Sequence, residues 1–260
     1  MRNFFLPSGK DESGNIPGIY NYCNRICERC NFTAMCLCYK MLPSIINDQN
    51  LDDSTNNIGV FGDSILQPAD LLLNHAEREY DYQTDDLLTD FKNQIDESHK
   101  IISEYEIIKK ASEYCNRVQM TFEILDETSY DPGQDITSAI QKDIQQLSKN
   151  GRLEEFLERS SRTRVLSYVI VMKLHRAVSG HFNLQMENDD EFEEFDMNGS
   201  AKCVLVSIDE SIDEMLAVHT FIPTLTEEAS NLYNILVEIR TATEAFFPNA
   251  RTFIRPGLDE

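Results

Sequence analysis

Residues 101–125, IISEYEIIKKASEYCNRVQMTFEIL, are the stretch that decides the fold. Apolar side chains recur in it at steps of three, four and seven residues, which is the pattern of one buried helix face. Neither Pro nor Gly interrupts the pattern, so we expect one long helix from about residue 85 to about residue 125. The predicted buried stripe consists of Leu88, Phe91, Ile95, Ile102, Tyr105, Ile108, Ala111, Cys115, Val118, Phe122 and Leu125.

Helical patterns continue on both sides of this stretch. A short helix is expected to begin near Pro68, since proline is tolerated in a first helical turn. Another begins near Asp135 and stops at Asn150-Gly151, because glycine commonly ends a helix. A third runs from about Leu153 to about Gly180, and its centre, residues 165–172, is apolar on nearly every side. We expect an interruption of this third helix near Ser160-Ser161.

The last third of the chain predicts two further helices. The strongly acidic residues 187–196 are typical of a solvated loop. Asn198-Gly199-Ser200 then offers side chains suited to capping a helix that follows. The last helix is expected over about Thr226 to Phe247, ending before Pro248.

The fold class that follows is all-α, an antiparallel helical bundle with an N-terminal Cys-rich helical element. No stretch alternates in the manner of a strand. We divide the chain into a Cys-rich metal-binding element over residues 1–40, a linker over 41–67 and a helical bundle domain over 68–260.

The charge of the chain limits its partners. The formal net charge is −22. Nucleic acid and anionic membrane surfaces are therefore not expected as partners, because both attract basic proteins. No apolar segment has the length of a signal peptide core or of a membrane span, so we expect a cytoplasmic protein. An unknown protein partner stays compatible with the sequence.

Cysteine is the most informative residue type here. Five of the 7 cysteines fall between residues 23 and 38, with the spacing C-x3-C-x2-C-x5-C and one more Cys two residues later. If residues 20–30 are helical, Cys23, Cys27 and Cys30 share one face, and a turn at residues 31–33 returns Cys36 to it. These four thiols are the predicted metal ligands, and Cys38 is an alternate ligand.

Two kinds of metal centre fit four thiolates. Structural zinc sites with four Cys ligands commonly combine two C-x2-C knuckles, whereas this segment has one, Cys27 to Cys30. The spacing therefore leaves open a cubane cluster and a zinc ion, although it lacks the usual pair of zinc knuckles.

The spacing Cys27-x2-Cys30-x-Phe32-x3-Cys36 resembles the [4Fe–4S] ligand segment of RecB-type, CRISPR-associated nucleases. Its C-x2-C-x5-C half is similar to the cluster loop of helix–hairpin–helix DNA glycosylases. In both families a fourth Cys lies upstream, and the resemblance implies that role for Cys23. It also implies an iron–sulfur cluster of the [4Fe–4S] type, with zinc as the alternative. The likeness covers about a dozen residues, and neither a nuclease nor a glycosylase domain accompanies it.

The whole chain resembles an uncharacterised family of bacterial proteins of the Bacteroidetes type, and this resemblance implies no activity. It rests on three segments: Tyr22-Cys23-x-Arg25-x-Cys27-Glu28-Arg29-Cys30-x-Phe32-Thr33, Asn198-Gly199-Ser200-Ala201-Lys202, and Phe247-Pro248-Asn249-Ala250-Arg251. Ile26 departs from the aromatic residue expected at its position, and Cys38 is additional.

No catalytic constellation is recognisable, so the sequence leaves open whether the chain is an enzyme. The pair Asp96-x-x-His99 lacks the second motif that a di-iron bundle requires. Lys173 and Arg176 are expected to pair with Asp209 and Asp213 on a neighbouring helix.

The remaining expectations concern packing and role. Cys115 and Cys203 are expected in the core, and Phe253 and Ile254 are expected to pack on the bundle. Three functional classes remain: a structural or redox-responsive cluster protein, an interaction or assembly protein with structural zinc, and an enzyme with a site between cluster and bundle.

Overall fold

A computed structural model describes residues 10–41, 100–123, 135–186 and 191–259. All regular secondary structure in these ranges is helical, which confirms the predicted all-α class. Five α-helices are named here in chain order: α1 (Glu106–Glu123), α2 (Asp135–Lys149), α3 (Leu153–Met186), α4 (Glu191–Phe221) and α5 (Thr226–Phe246).

Helices α1, α3, α4 and α5 form a four-helix bundle. Each packs against two others, in the cyclic order α1, α3, α4, α5. Helices α1 and α5 are antiparallel, since Lys110 pairs with Glu238 while Arg117, further along α1, pairs with the earlier Glu228.

Neighbouring helices of the bundle run in opposite directions throughout. The ring of Phe156 at the start of α3 lies 5.7 Å from that of Phe221 at the end of α4, and Asn183 near the end of α3 contacts Glu193 in the first turn of α4. A single 3-10 turn, Pro223–Leu225, connects α4 to α5 and reverses the chain. It follows that α1 and α3 are antiparallel as well, and the predicted antiparallel bundle is confirmed.

The core contains most of the stripe predicted from residues 101–125. Tyr105 lies partly buried at the edge of the core. Of the remaining stripe residues, Leu88, Phe91, Ile95 and Leu125 lie outside the described ranges. The buried members are Ile102, Ile108, Ala111, Cys115, Val118 and Phe122.

Two predicted helices have different lengths from those expected. The chain leaves the helix at residues 104 and 105, so α1 begins only at Glu106, and neither Gly nor Pro marks this break. Conversely, α3 runs without interruption through Ser160, whose hydroxyl donates to the carbonyl oxygen of Phe156 at 2.8 Å and is thereby satisfied inside the helix. Helix α3 also continues past Gly180 to Met186.

The acidic stretch before residue 197 is not a loop over its described part. Helix α4 begins at Glu191, and three glutamates occupy its first turn, where negative charge is favourable for a helix. Asn198-Gly199-Ser200 lies inside α4 and caps nothing, so the predicted capping role is wrong.

Other predicted boundaries are confirmed. Helix α2 ends at Lys149, and Gly151 follows with a left-handed φ of 67°. Helix α5 ends at Phe246, just before Pro248. The predicted linker beyond residue 41, the helix near Pro68 and the Asp96–His99 pair lie outside the described residues.

Within the described ranges, no helix combines the length and the apolar character that crossing a bilayer requires.

Candidate metal centre

The Cys-rich segment consists of short turns. Three 3-10 turns, Ile19–Asn21, Cys27–Arg29 and Thr33–Met35, are followed by helical residues 37–41. The predicted helix over residues 20–30 is therefore wrong. Arg25 interrupts it with a φ of 60°, the one non-glycine positive φ among the described residues. This conformation is costly for a non-glycine residue and persists where surrounding contacts hold it.

Tyr22 anchors this segment to the bundle. Its side chain is 1% exposed, and its ring lies 5.9 Å from that of Phe195 on α4 and 5.6 Å from that of Phe253. The hydroxyl donates to Oδ1 of Asp196 at 3.1 Å. Burial raises the pKa of Tyr22, and the neighbouring carboxylate of Asp196 raises it further, so the phenol stays protonated.

Asp196 accepts hydrogen bonds from both the Cys-rich segment and α3. Arg176 on α3 donates to both of its carboxylate oxygens, at 2.7 and 2.5 Å. The predicted pairing of Arg176 with Asp209 or Asp213 is therefore wrong. Asp209 instead accepts from Arg251 at 2.6 Å.

Asn24 forms a second anchor. Its amide donates to both carboxylate oxygens of Glu210 on α4, at 3.2 and 3.1 Å, and Arg162 on α3 donates to the same carboxylate. Residues 22–25 thus alternate: Tyr22 and Asn24 contact the bundle, whereas Cys23 and Arg25 belong to the thiol group described next.

The five thiols of the segment are all half-buried and unpaired by disulfides. Sγ of Cys23 donates to the carbonyl oxygen of Tyr20 at 3.7 Å. Sγ of Cys30 accepts from the backbone N–H of Phe32 at 3.4 Å, the kind of hydrogen bond that supports a thiolate. Sγ of Cys38 accepts from Nη1 of Arg25 at 3.0 Å.

Arg25 donates to Cys38 and lies near two further thiols of the segment. Burial alone would lower the pKa of its guanidinium, but the charges of Cys23, Cys38 and Cys27 raise it above its usual value. These sulfurs therefore lie near one cation. Cys38, the predicted alternate ligand, thus lies near the same guanidinium as Cys23 and Cys27.

The convergence of four thiols predicted from spacing is not present in the described geometry. Among residues 10–41 and the other described ranges, no three Cys, His, Asp or Glu side chains are arranged to hold one metal ion. The donor chemistry suits a metal centre, but the sulfurs would have to move to share one ion.

Lys173 of α3 lies near Cys23 and contacts the loop that precedes it. It is 5% exposed, and its Nζ donates to the carbonyl oxygen of Asn21 at 2.5 Å. Burial lowers the pKa of Lys173 to about 8, and the thiols of Cys203 and Cys23 counteract part of this effect. The predicted partners of Lys173, Asp209 and Asp213, are thus replaced by a backbone oxygen.

Cys203 and Cys115 are buried, as predicted. Cys203 on α4 lies near Lys173 and Cys23, and burial raises the pKa of its thiol to about 11. Cys115 contacts Oγ of Ser167 inside the bundle at 3.5 Å.

The C-terminal residues pack at the end of the bundle that the Cys-rich segment covers. Phe253 packs on the bundle as predicted, with its ring 4.8 Å from that of Phe195 on α4, and it also contacts Tyr22. Ile254 is 57% exposed, so the prediction for it is wrong. Gly257, with a φ of 71°, approaches Ile16 so closely that an added Cβ would lie 2.8 Å from Cγ2 of Ile16. The tail and the Cys-rich segment therefore pack together on α4.

The three segments that carry the whole-chain resemblance meet at this end. An added Cβ at Gly199 would lie 2.4 Å from Cε1 of Tyr22, and Nζ of Lys202 donates to the carbonyl oxygen of Arg251 at 2.7 Å. Local sequence patterns do not predict this contact, since Tyr22 and Asp196 are 174 residues apart.

Comparison with known proteins adds no family to this picture: no family model, no curated protein and no solved structure matches the chain.

Proposed function

We propose that the Cys-rich segment binds a metal centre through Cys23, Cys27, Cys30 and Cys36, with an iron–sulfur cluster ahead of zinc. The observation that carries the proposal is the density and placement of the thiols. Five of them lie within residues 23–38, half-buried, and three of them are near the guanidinium of Arg25. Cysteines that serve only as small apolar core residues are buried, as Cys115 and Cys203 are.

The backbone of the segment is suited to the rearrangement that ligation requires. It is built from 3-10 turns of three residues each, separated by extended residues such as Cys30 and Cys36. Short turns of this kind have poorer hydrogen bonds than an α-helix and shift at lower cost. Ligation would also replace the weak hydrogen bond from Cys23 to Tyr20, since metals bind the thiolate and not the thiol.

Two hydrogen-bond donors of the segment are directed at its sulfurs. The guanidinium of Arg25 and the N–H of Phe32 donate to sulfur, and hydrogen bonds to sulfur support thiolate ligands in metal centres. A cluster or zinc ion held here would fix a segment that anchors on α4 through Tyr22 and Asn24. The role that this arrangement supports is a structural or redox-responsive one.

Metal analysis of the protein purified without oxygen tests the proposal. We expect iron and acid-labile sulfide, with broad absorption near about 400 nm. The Cys27→Ser, Cys30→Ser double variant should lose this absorption. Cys115→Ser is the matched control, because Cys115 lies inside the bundle against Ser167, and it should keep full metal content.

Two outcomes separate the alternatives. A colourless protein with one equivalent of zinc, lost in the double variant, would replace the cluster with structural zinc. A protein that keeps neither metal, also after anaerobic reconstitution with iron, sulfide or zinc, would refute the metal centre.

A further inference from the structure

Lys173 is a buried ammonium group without a carboxylate. It is 5% exposed and donates to a backbone carbonyl. Among the described residues neither Lys173 nor Arg25 donates to an Asp or Glu. Other cations of the bundle do so: Arg159 and Arg162 share the buried Glu214.

A buried charge without a counter-charge is costly. The groups that act on Lys173 are the thiols of Cys203 and Cys23, which favour its charge, and the guanidinium groups of Arg25 and Arg176, which oppose it. Cys203 does not compensate the ammonium at neutral pH, because burial raises the pKa of its thiol to about 11. Of these groups, Cys23 is the one that would supply a negative charge when it binds a metal as a thiolate.

A metal–thiolate centre would supply the missing negative charge. Four thiolates around Zn²⁺, or around a [4Fe–4S]²⁺ core, carry a net charge of about −2. Both Arg25 and Lys173 would lie near that negative charge. Lys173 would also hold the loop of Cys23 in place through the carbonyl group of Asn21.

We propose that Lys173 is a positioning residue of the metal centre, one that compensates the charge of the thiolates through Cys23 and fixes the loop at Asn21. This inference rests on the proposed function. It assigns to the bundle, through α3, a direct part in a centre whose ligands all come from the N-terminal segment.

The proposal makes two predictions of opposite sign for Lys173→Met, a substitution of similar length without charge. The metal-free protein should unfold at a higher urea concentration than wild type, because the uncompensated ammonium is gone. The metal-loaded protein should release its metal to a chelator faster, because metal affinity commonly falls about 10- to 100-fold when a group around the ligands is lost. A residue that served packing alone would not move the two measurements in opposite directions.

Two further variants sharpen the experiment. Lys202→Met is the matched control, since Lys202 at the same end also donates to a backbone carbonyl, that of Arg251, and should leave metal release unchanged. Lys173→Arg keeps the charge and should retain metal far longer than Lys173→Met. Circular dichroism of each variant checks that the helices form.

The outcomes distinguish this inference from the proposed function. A wild-type protein that binds neither iron–sulfur nor zinc overturns both. Wild-type protein that retains metal, with Lys173→Met releasing it no faster than Lys202→Met, overturns only the role of Lys173. A Lys173→Met protein that is less stable without metal, or does not fold, also overturns it, because the ammonium would then be stabilising.

Discussion

The ring of Tyr22 lies where a side chain on Gly199 would have to be: a Cβ at residue 199 would come within 2.4 Å of Cε1 and 2.7 Å of Cδ1. Phe195 and Phe253 contact the same ring, so it has little room to retreat. Gly199 is thus the position on α4 at which the Cys-rich segment makes its closest approach.

Gly199→Ala should therefore destabilise the protein. Alanine is the better helix former by about 1 kcal/mol, but overpacking a filled site costs about 1–3 kcal/mol. The difference is a net loss of up to about 2 kcal/mol in the free energy of urea unfolding. Ser200→Ala is the control: its buried hydroxyl has no hydrogen-bond partner, so its loss should be neutral or stabilising. Equal stability of the two variants would show that Tyr22 moves aside freely.

The five cysteines of the segment should differ in their effect on metal content. Serine at Cys23, Cys27, Cys30 or Cys36 should abolish or strongly reduce bound metal, because a four-thiolate site loses one of its ligands. Cys38→Ser should leave the metal-to-protein ratio near that of wild type. Full metal content without Cys36, together with loss of metal without Cys38, would make Cys38 the fourth ligand, beside Arg25.

The stability of the metal-free protein should rise between pH 8 and about pH 9. The pKa of Lys173 falls from 10.5 in the unfolded chain to about 8 in the fold, so over this range the unfolded state holds a proton that the folded state releases. Below pH 8 both states are protonated and the full cost of the buried ammonium is present. Urea midpoints measured against pH should show this rise in wild type and lack it in Lys173→Met.

Cys203 acts in the opposite direction at higher pH. Its thiol pKa rises from 9.0 to about 11, so between these values the unfolded state loses a proton first and stability falls. The rise attributed to Lys173 should therefore flatten above about pH 9. Cys203→Ser should extend the rise to higher pH, and a flat profile in both proteins would contradict the assignment to Lys173.

The buried carboxylate between α3 and α4 should contribute to stability of the bundle itself. Glu214 is 4% exposed and accepts from Arg159 at 2.8 Å and from Arg162 at 3.1 Å. Glu214→Gln should cost about 1.5–3 kcal/mol, since it weakens charge-assisted hydrogen bonds out of water. Glu155→Gln removes an exposed partner of the same Arg159 and should cost less than about 0.5 kcal/mol. Similar losses for both would mean that Glu214 is hydrated in solution.

The helices could be predicted where a local pattern determines them. The stripe from Ile102 to Phe122 and the ends of α2 and α5 follow from periodicity, glycine and proline. The acidic start of α4 could not be predicted as helix, because its burial depends on residues distant in the sequence. Asp196 is 9% exposed, and its partners are Tyr22 and Arg176.

For the candidate site, the sequence supplies the cysteine spacing, but the shared helical face inferred from that spacing is absent from the structure. Spacing alone would place Cys23, Cys27 and Cys30 on one helical face. The helix is interrupted at Arg25, whose φ of 60° cannot be predicted from its residue type. Lys173 could not be predicted as part of the site either. The apolar residues around Lys173 predict a buried helix and nothing more. Its hydrogen bond is to Asn21, which lies 152 residues away in the sequence.

The alternation of residues 22–25 has a thermodynamic consequence. Because Tyr22 and Asn24 hold the bundle while Cys23 and Arg25 belong to the thiol group, the chain cannot reorganise one set without displacing the other. Linkage is reciprocal, so binding at the thiols and the contacts with α4 must change each other's equilibrium by the same factor. Four consecutive residues would thereby couple metal binding at the sulfurs to the hydrogen bonds of Asp196, Arg176 and Glu210. These three residues lie on the two longest helices described here.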